Sequence, residues 1–221
     1  RQESTVILTA YKGNNRIEAE SGYETATYGV SASFGADVQL WAPNGTNTVY
    51  AKNGYAGIYS GSTDGDVAHV TLDGLNNNIK ADGTLNGGTG IWALDNGMVT
   101  VHATNQNTIY GSLDGIRSII DSSENADGTG VTVTSDSGIN QISGGSNGIY
   151  ARQGTVEVGT DSGSNQISGG ERAILALSKL YYDFDTTADT DTSVTIDGQS
   201  DLSSSGDAVI ESSSVDDPVA T

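Results

Sequence analysis

The sequence repeats itself with a period of about 30 residues. Its most regular phrase is an Asn two places before an aliphatic residue, and the six copies are Asn15/Ile17, Asn47/Val49, Asn77/Ile79, Asn107/Ile109, Asn140/Ile142 and Asn165/Ile167. The steps between successive Asn residues are 32, 30, 30, 33 and 25 residues. A repeat of this length is typical of solenoids, in which each unit stacks on the next and contacts only its neighbours.

Two further phrases follow each Asn phrase in a fixed order. One is a small residue followed by an aliphatic residue, as in Gly148-Ile149, and the other is aliphatic-x-aliphatic, as in Val156/Val158. All three alternate over a few residues between Gly, Asn, Asp and Ser, which is the pattern of half-buried strands, and no stretch keeps a helical spacing. Three strands per repeat predict an all-β protein, a parallel β-helix of about six to seven turns of roughly 30 residues.

The repeats run from about residue 5 to residue 210, so residues 1–221 are predicted to form a single β-helix segment. Val6-x-Leu8 has the form of the third strand of a preceding turn. Between residues 200 and 221 the pattern degenerates into a last turn and a tail, with Ser200-Asp-Leu202 in place of an Asn phrase. We interpret both ends as cuts through a longer solenoid or as atypical terminal turns.

The fixed place of the Asn residues predicts an internal ladder. Identical amides stacked one turn apart can donate and accept hydrogen bonds among themselves along the rod. The alternative is that each Asn caps only its own turn, because Asn is a common turn former. The predicted structural ladder consists of Asn15, Asn47, Asn77, Asn107, Asn140 and Asn165.

The charge balance limits the partners that this chain can have. Asp and Glu number 28 against 9 Lys and Arg, and the formal net charge is -19. Such a field repels nucleic acid and anionic membrane surfaces. No apolar run is long enough for a spanning helix, so no direct membrane insertion of this segment is expected. The absence of Cys removes disulfides and thiolate chemistry.

Several phrases resemble the passenger domains of bacterial autotransporter adhesins of the AIDA type, which belong to the pectin-lyase-like β-helices. They are NTVYAKNGYAGIYSG, NTIYGS, GGTGIWALDNGMVTVHA and NGIYARQGTVEVGTDSGSNQISGG, and the resemblance extends over about residues 5 to 210. A chain without thiols fits export through an oxidising periplasm.

The resemblance implies a right-handed coil and an extracellular location, either secreted or on the bacterial cell surface with an outer-membrane anchor in the full-length protein. It further implies a non-enzymatic role in adhesion, biofilm formation and virulence. The expected partners are a host or bacterial surface glycan or protein, or another copy of the chain.

The alternative to an adhesive role is an enzymatic one, because polysaccharide lyases and hydrolases of the pectin-lyase-like class share the fold. Of the two histidines, His69 is predicted to face outward and His102 to lie just past its strand, both at the surface and with no Ser or paired carboxylate at matching positions. Arg117 is the one basic residue at a strand-face position suited to a lyase base, and it lacks a basic neighbour. We therefore expect no catalytic residues, no resident metal and no cofactor.

The outward positions of the second strand are the best candidates for binding. In four consecutive turns they hold Tyr59, Trp92, Arg117 and Tyr150, which predicts a flat, partly apolar strip with a spacing of about 4.8 Å. Tyr, Trp and Arg are enriched in binding hot spots. The alternative is ordinary cross-strand packing under a covering loop.

The longest connection between repeats is a second candidate. It carries Tyr181, Tyr182 and Phe184 among acidic residues, and it is interpreted as a contact loop or as an aromatic flap packed on the rod. The carboxylates of this loop suit a weak Ca²⁺ site, because hard cations bind several carboxylate oxygens. The acidic residues in question are Asp183, Asp185, Asp189 and Asp191.

Overall fold

The structure is a computed structural model that describes residues 4–20, 27–62, 65–83, 87–121, 129–177, 192–206 and 208–213. Within these ranges the chain is all-β, and its parallel strands stack as a β-solenoid of about five turns. The predicted fold class is confirmed, whereas the predicted six to seven turns were too many. Over the same ranges no helix is long and apolar enough to cross a membrane.

Sixteen strands in the described ranges form two sheets. The nine-stranded sheet contains β1 (Thr5–Thr9), β2 (Asn15–Glu20), β4 (Asp37–Lys52), β6 (Ala68–Ala81), β8 (Gly97–Gly111), β10 (Gly130–Ser135), β11 (Ile139–Gly144), β13 (Thr155–Gly169) and β15 (Ser193–Ser204). The seven-stranded sheet contains β3 (Tyr28–Ser33), β5 (Ala56–Gly61), β7 (Thr89–Leu94), β9 (Asp114–Ile119), β12 (Asn147–Arg152), β14 (Arg172–Leu177) and β16 (Ala208–Ser213). All the pairings between these strands are parallel, as expected when each strand pairs with its equivalent one turn later.

Most turns contain two strands rather than three. The third phrase of one repeat and the Asn phrase of the next join into one long strand, such as β6 or β8, and the register shifts where the two phrases meet. The turn that contains β10 and β11 keeps them separate. This irregularity in the register takes the place of the break that three separate strands would need.

The aliphatic residues of the three phrases form columns in the interior. Ile58 pairs with Ile91, Ile79 pairs with Ile109, and all four side chains are fully buried. The columns join into one apolar cluster that reaches from Val30 to Ile174. Because equivalent residues lie one strand spacing apart, their side chains are in contact along the whole solenoid.

A column of glycines explains the small residue of the second phrase. At Gly90, Gly115 and Gly148 an added Cβ would lie 2.5 to 2.6 Å from the carbonyl oxygen of the equivalent residue one turn later. It would also lie within 2.8 Å of the Ile side chain of an Asn phrase. Glycine is therefore required for the two sheets to approach each other at this corner.

The turns at the two ends of the described structure are open, which accounts for the lower number of turns. Val6 and Ile7 of β1 are more than half exposed, as is Ile210 of β16, although these strands pair in register with their neighbours. The degenerate last turn continues the interior columns, since Leu202 pairs with Ile167. The handedness of the coil and the assignment of all 221 residues to one segment stay predictions.

Candidate functional site

The Asn residues of the repeat are linked by side-chain hydrogen bonds inside the solenoid. Each Nδ2 donates to the Oδ1 of the equivalent Asn one turn later, at 2.8 or 2.9 Å, and the chain of bonds runs Asn15, Asn47, Asn77, Asn107, Asn140, Asn165. The last five side chains are buried and the first is partly exposed. At the end of this Asn ladder, Asn165 approaches the Ser200 hydroxyl at 3.4 Å.

The second proton of each amide is also used. The Nδ2 groups donate to main-chain carbonyls at the bend of the long strands, including those of Asp73, His102 and Thr134 at 2.7 to 3.0 Å. Each buried amide therefore satisfies both of its N–H groups, which is the condition for enclosing a polar group in an apolar core. The Asn ladder therefore links successive turns next to the places where the register of the long strands shifts.

The outward positions of the second sheet lie side by side in the order that the repeat gives. Tyr59 pairs with Trp92, Trp92 with Arg117, and Arg117 with Tyr150. All four side chains are half-buried. Together with Tyr28, whose ring stacks on that of Tyr59 at 4.8 Å between centroids, they form what we call the aromatic strip.

The rings of the aromatic strip contact one another rather than lying flat. Tyr59 and Trp92 meet edge to face, with ring centroids 5.7 Å apart and ring planes at 88° to each other. The Arg117 guanidinium lies between two rings, with its Cζ 5.6 Å from the Trp92 centroid and 5.4 Å from that of Tyr150. Such cation–π contacts hold the guanidinium in place at a partly exposed site. The prediction of a flat strip was therefore wrong about the orientation of the rings.

Tyr28 was missed in the sequence because it does not occupy the outward register position, which in that turn is Ser31. It lies three residues earlier, at the corner of the solenoid. Its register partner is Ala56, which is small enough for the Tyr28 ring to lie against Tyr59. Burial raises the pKa of both phenols above the ordinary value of 10.0.

The same corner column supplies a carboxylate to Arg117. Asp114 is completely buried, and its Oδ2 accepts hydrogen bonds from Arg117 Nε at 2.7 Å and Nη2 at 2.5 Å. Its Oδ1 accepts a hydrogen bond from Asn147 Nδ2 at 2.8 Å. A buried charge is tolerated when it is paired and hydrogen bonded in this way. The ion pair leaves the aromatic strip without net charge.

Two polar atoms next to this ion pair have no hydrogen-bond partner in the described part of the structure. They are the indole Nε1 of Trp92, a donor, and the Oδ1 of Asn147, an acceptor. Both atoms are buried, although the Trp92 side chain as a whole is half exposed. Unsatisfied buried polar atoms are uncommon in folded proteins. A donor and an acceptor of this kind therefore flank Arg117 along the rod.

A second aromatic and cationic group lies on the outer face of the nine-stranded sheet, at outward positions of the Asn phrases that the sequence analysis did not single out. Here Lys80 pairs with Tyr50 on one side and Tyr110 on the other, and its Nζ lies 4.9 and 5.7 Å from the two ring centroids. Asp82 lies 3.5 Å from the same nitrogen. We call Tyr50, Lys80, Asp82 and Tyr110 the tyrosine–lysine cluster.

The electrostatics of this cluster are local. The Tyr50 hydroxyl donates a hydrogen bond to Asp82, and this contact, with burial and nearby carboxylates, raises the pKa of Tyr50 to about 12. Burial opposes ionisation of Asp82, but the hydrogen bonds from Tyr50 and from the main-chain N–H of Asn53, together with the charge of Lys80, lower its pKa. The lysine is therefore held between its own rings and its own carboxylate.

His102 is placed differently from the prediction. It lies within β8, and its Nδ1 and Nε2 are 3.1 and 3.0 Å from carboxylate oxygens of Asp73 and Asp136, which lie in the turns on either side. The expected absence of carboxylates at matching positions was wrong, because Asp73 is the register partner of His102. Asp136 follows the end of β10 and lies two residues beyond the other register partner, Thr134. His69 is exposed, as expected.

Both ring nitrogens can donate only when the imidazole is protonated. Partial burial disfavours the charged ring, but the hydrogen bonds to Asp73 and Asp136 outweigh it and raise the pKa of His102 above its ordinary value of 6.5. This bridge occupies both nitrogens, so neither is free to exchange a proton with a substrate.

The remaining candidates cannot be placed. Tyr181, Tyr182 and Phe184 lie outside the described residues, as do the four aspartates Asp183, Asp185, Asp189 and Asp191 of the proposed Ca²⁺ site. In the ranges that the structure does describe, no group of three or more His, Asp or Glu side chains could hold a metal ion. The question of a weak Ca²⁺ site in that loop therefore stays a prediction.

Comparisons with protein-family models, with curated proteins and with solved structures found no match to this chain. The parallel β-solenoid is shown by the structure itself, and it is compatible both with adhesins and with enzymes of the pectin-lyase-like class. The fold alone does not decide between these functions, which depend on the side chains at the surface.

Proposed function

We propose that this chain is a non-enzymatic segment of an extracellular bacterial adhesin, and that it attaches through a lateral face of the solenoid to surface molecules or to another copy of itself. The observation that carries this proposal is the aromatic strip. Five consecutive turns present Tyr28, Tyr59, Trp92, Arg117 and Tyr150 in one contiguous, half-exposed column on a rod of net charge -19.

The shape of the molecule favours attachment over catalysis. A stack of turns repeats its lateral surface along the rod, so weak contacts made at several turns act together with a high effective concentration. The strip has the residue types of binding hot spots, and because Arg117 is already paired with the buried Asp114, a ligand does not have to supply a counter-charge to it. The phrases that resemble autotransporter passengers support an extracellular, surface-attached location for such a rod.

The basic and imidazole groups that a polysaccharide lyase would use are engaged elsewhere. Arg117 is bound to Asp114 and packed between two rings, and both nitrogens of His102 face carboxylates. We therefore expect that incubation with pectin, polygalacturonate or alginate, with and without Ca²⁺, releases neither reducing ends nor unsaturated products. Turnover that a single Asp→Asn substitution abolishes would establish the enzymatic alternative.

The proposal is tested by removing the exposed rings of the strip. Trp92→Ala combined with Tyr150→Ala should strongly reduce cell attachment and autoaggregation when the chain is displayed on a bacterial surface, while the circular dichroism of the purified protein keeps its β-sheet form. Tyr110→Ala in the tyrosine–lysine cluster is the matched control, because it removes a more exposed ring from another face. Unchanged attachment by the double variant would contradict the proposal.

A further inference from the structure

The geometry points to an uncharged pyranose glycan as the ligand of the aromatic strip, bound at the section formed by Trp92, Arg117 and Tyr150. This inference rests on the proposed function and deepens it by naming the chemical class of the ligand. It depends on the charge state of the strip, on its unsatisfied polar atoms and on its width.

The charge of the strip argues against an acidic ligand. Arg117, the cation within this section, binds the buried carboxylate of Asp114 through two nitrogens. The two cations beside it in the described residues are also paired, Arg152 with Asp121 and Arg172 with Glu171 and Glu211. No positive charge is left over to attract a sialylated, sulfated or uronic-acid glycan, and the rest of the rod repels it with a net charge of -19. An uncharged glycan meets no such repulsion.

The polar atoms of the strip suit hydroxyl groups. Trp92 Nε1 lacks an acceptor and Asn147 Oδ1 lacks a donor, and the two atoms lie in the turns on either side of Arg117. A sugar hydroxyl both donates and accepts, so hydroxyls on different sugar residues of one oligosaccharide suit two atoms that lie two strand spacings, about 10 Å, apart. Both atoms are buried in the free protein and lie two turns apart, so each side chain has to move to reach the ligand, including the Trp92 indole. Its apolar surface then packs against the C–H face of a pyranose ring.

The dimensions of the strip favour a glycan over a protein partner. The strip is one side chain wide, and five strands at the usual spacing make it about 20 Å long. A stable protein interface buries about 800 Å² on each partner, which such a narrow strip alone does not provide. A second copy of the chain would also bring its own negative charge against the first. A linear oligosaccharide matches the strip in both width and length.

The movement of Trp92 gives a direct measurement. The chain has two tryptophans, and Trp41 lies at a separate partly exposed position against Tyr11. In the Trp41→Phe protein, Trp92 is the sole indole fluorophore. We expect neutral linear oligosaccharides of glucose, galactose, mannose and N-acetylglucosamine to include at least one that shifts its emission saturably. Sialylated, sulfated and polyuronate oligosaccharides should not.

Salt and substitution give further readouts. The affinity for the neutral glycan should change little between about 0.05 and 0.5 M NaCl, because no charge pair forms on binding. Tyr150→Ala, measured in the same Trp41→Phe background, should weaken binding by about tenfold or more, as expected for a hot-spot residue. Tyr110→Ala should leave it unchanged.

The outcomes separate this inference from the proposed function. Saturable binding of acidic glycans alone, with a steep salt dependence, would overturn the neutral ligand while leaving attachment through the strip in place. Self-association abolished by Trp92→Ala, with no glycan bound, would do the same and would assign the strip to a second copy. An absence of glycan binding together with unchanged attachment by the double variant would overturn both.

Discussion

The inside and the outside of this solenoid both carry polar groups at a fixed position in each turn, yet they use them differently. Inside, the same residue makes the same bond turn after turn, with Asn to Asn distances of 2.8 or 2.9 Å throughout. Outside, equivalent positions hold Tyr, Trp and Arg, and the contacts range from stacked rings to an ion pair. The interior therefore keeps the same residue at this position in every turn, while the outer face holds different residues at equivalent positions.

The physical reason is the availability of water. A buried amide without a partner loses its hydrogen bonds altogether, so a single departure from Asn leaves neighbours on both sides unpaired. An outward side chain can return to solvent, so its identity can vary without breaking the turns beside it. Outward residues can therefore change to suit a ligand while the interior residues maintain the fold.

The largest loss of stability is expected from a substitution that interrupts the Asn ladder in the interior. Asn107→Ala removes the donor to Asn140 Oδ1, the donor to the Thr134 carbonyl and the acceptor of Asn77 Nδ2. The free energy of unfolding should fall by about 1–3 kcal/mol for each buried group left without any partner. Urea denaturation measures the loss.

Two variants calibrate that result. Asn15→Ala removes the partly exposed end of the Asn ladder and should cost clearly less, because only Asn47 Oδ1 loses a ladder partner and the space left by Asn15 lies at the partly exposed end. Thr132→Ser on the outer face should cost less still. Equal losses for Asn107→Ala and Asn15→Ala would mean that burial does not distinguish the two, and the contrast drawn above would fail.

An intermediate effect is expected at Asp114, which lies on the outer face but is as buried as the interior. Asp114→Asn offers one acceptor where two oxygens now serve Arg117 and Asn147, so one donor must face the new amide group. The expected loss is about 1–3 kcal/mol. Thermal and urea melts of the purified protein measure it.

Asp82→Asn is the control for Asp114→Asn, because it removes a partly exposed carboxylate that faces a lysine between two rings. Surface pairs of this type contribute up to about 1 kcal/mol. A loss at Asp82 as large as that at Asp114 would show that burial is not what separates these two ion pairs.

The smallest effect is expected at the bridge of His102. Because its pKa is raised in the folded state, its contribution to stability is complete below the ordinary value of 6.5 and is lost as the pH rises through the folded value. Added salt should weaken it, because all three groups are partly exposed. His102→Gln should therefore remove a decrease in stability on going from about pH 6 to about pH 8.5.

His69→Gln is the matched control for the chemical change, since it replaces an exposed histidine for which no carboxylate bridge is found among the described residues. A profile that is identical in the wild type and in His102→Gln would show that the bridge has no energetic consequence.

Much of the fold follows from the sequence because the interior repeats. The pairing of Ile79 with Ile109, or of Asn77 with Asn107, is fixed once each turn must place the same residue at the same interior position. The number of turns was overestimated because strand phrases such as Val6-x-Leu8 read the same whether or not a further turn covers them.

The outer surface was predictable only in part. The column of Tyr59, Trp92, Arg117 and Tyr150 follows from strand alternation. Its partner Asp114 does not, because it lies at a corner three residues away, where alternation no longer applies. The contact of Asp136 with His102 was not predicted for a related reason, since Asp136 lies beyond the end of its strand.

The Asn ladder also gives the rod an electrical direction. Every side-chain amide donates toward the next turn along the chain, so the amide dipoles of successive turns align and polarise one another. Their sum lies parallel to the long axis, as the peptide dipoles of an α-helix do, but it is carried by side chains in an apolar core. Two such rods side by side attract through this dipole when antiparallel and repel when parallel, whatever their surfaces bind.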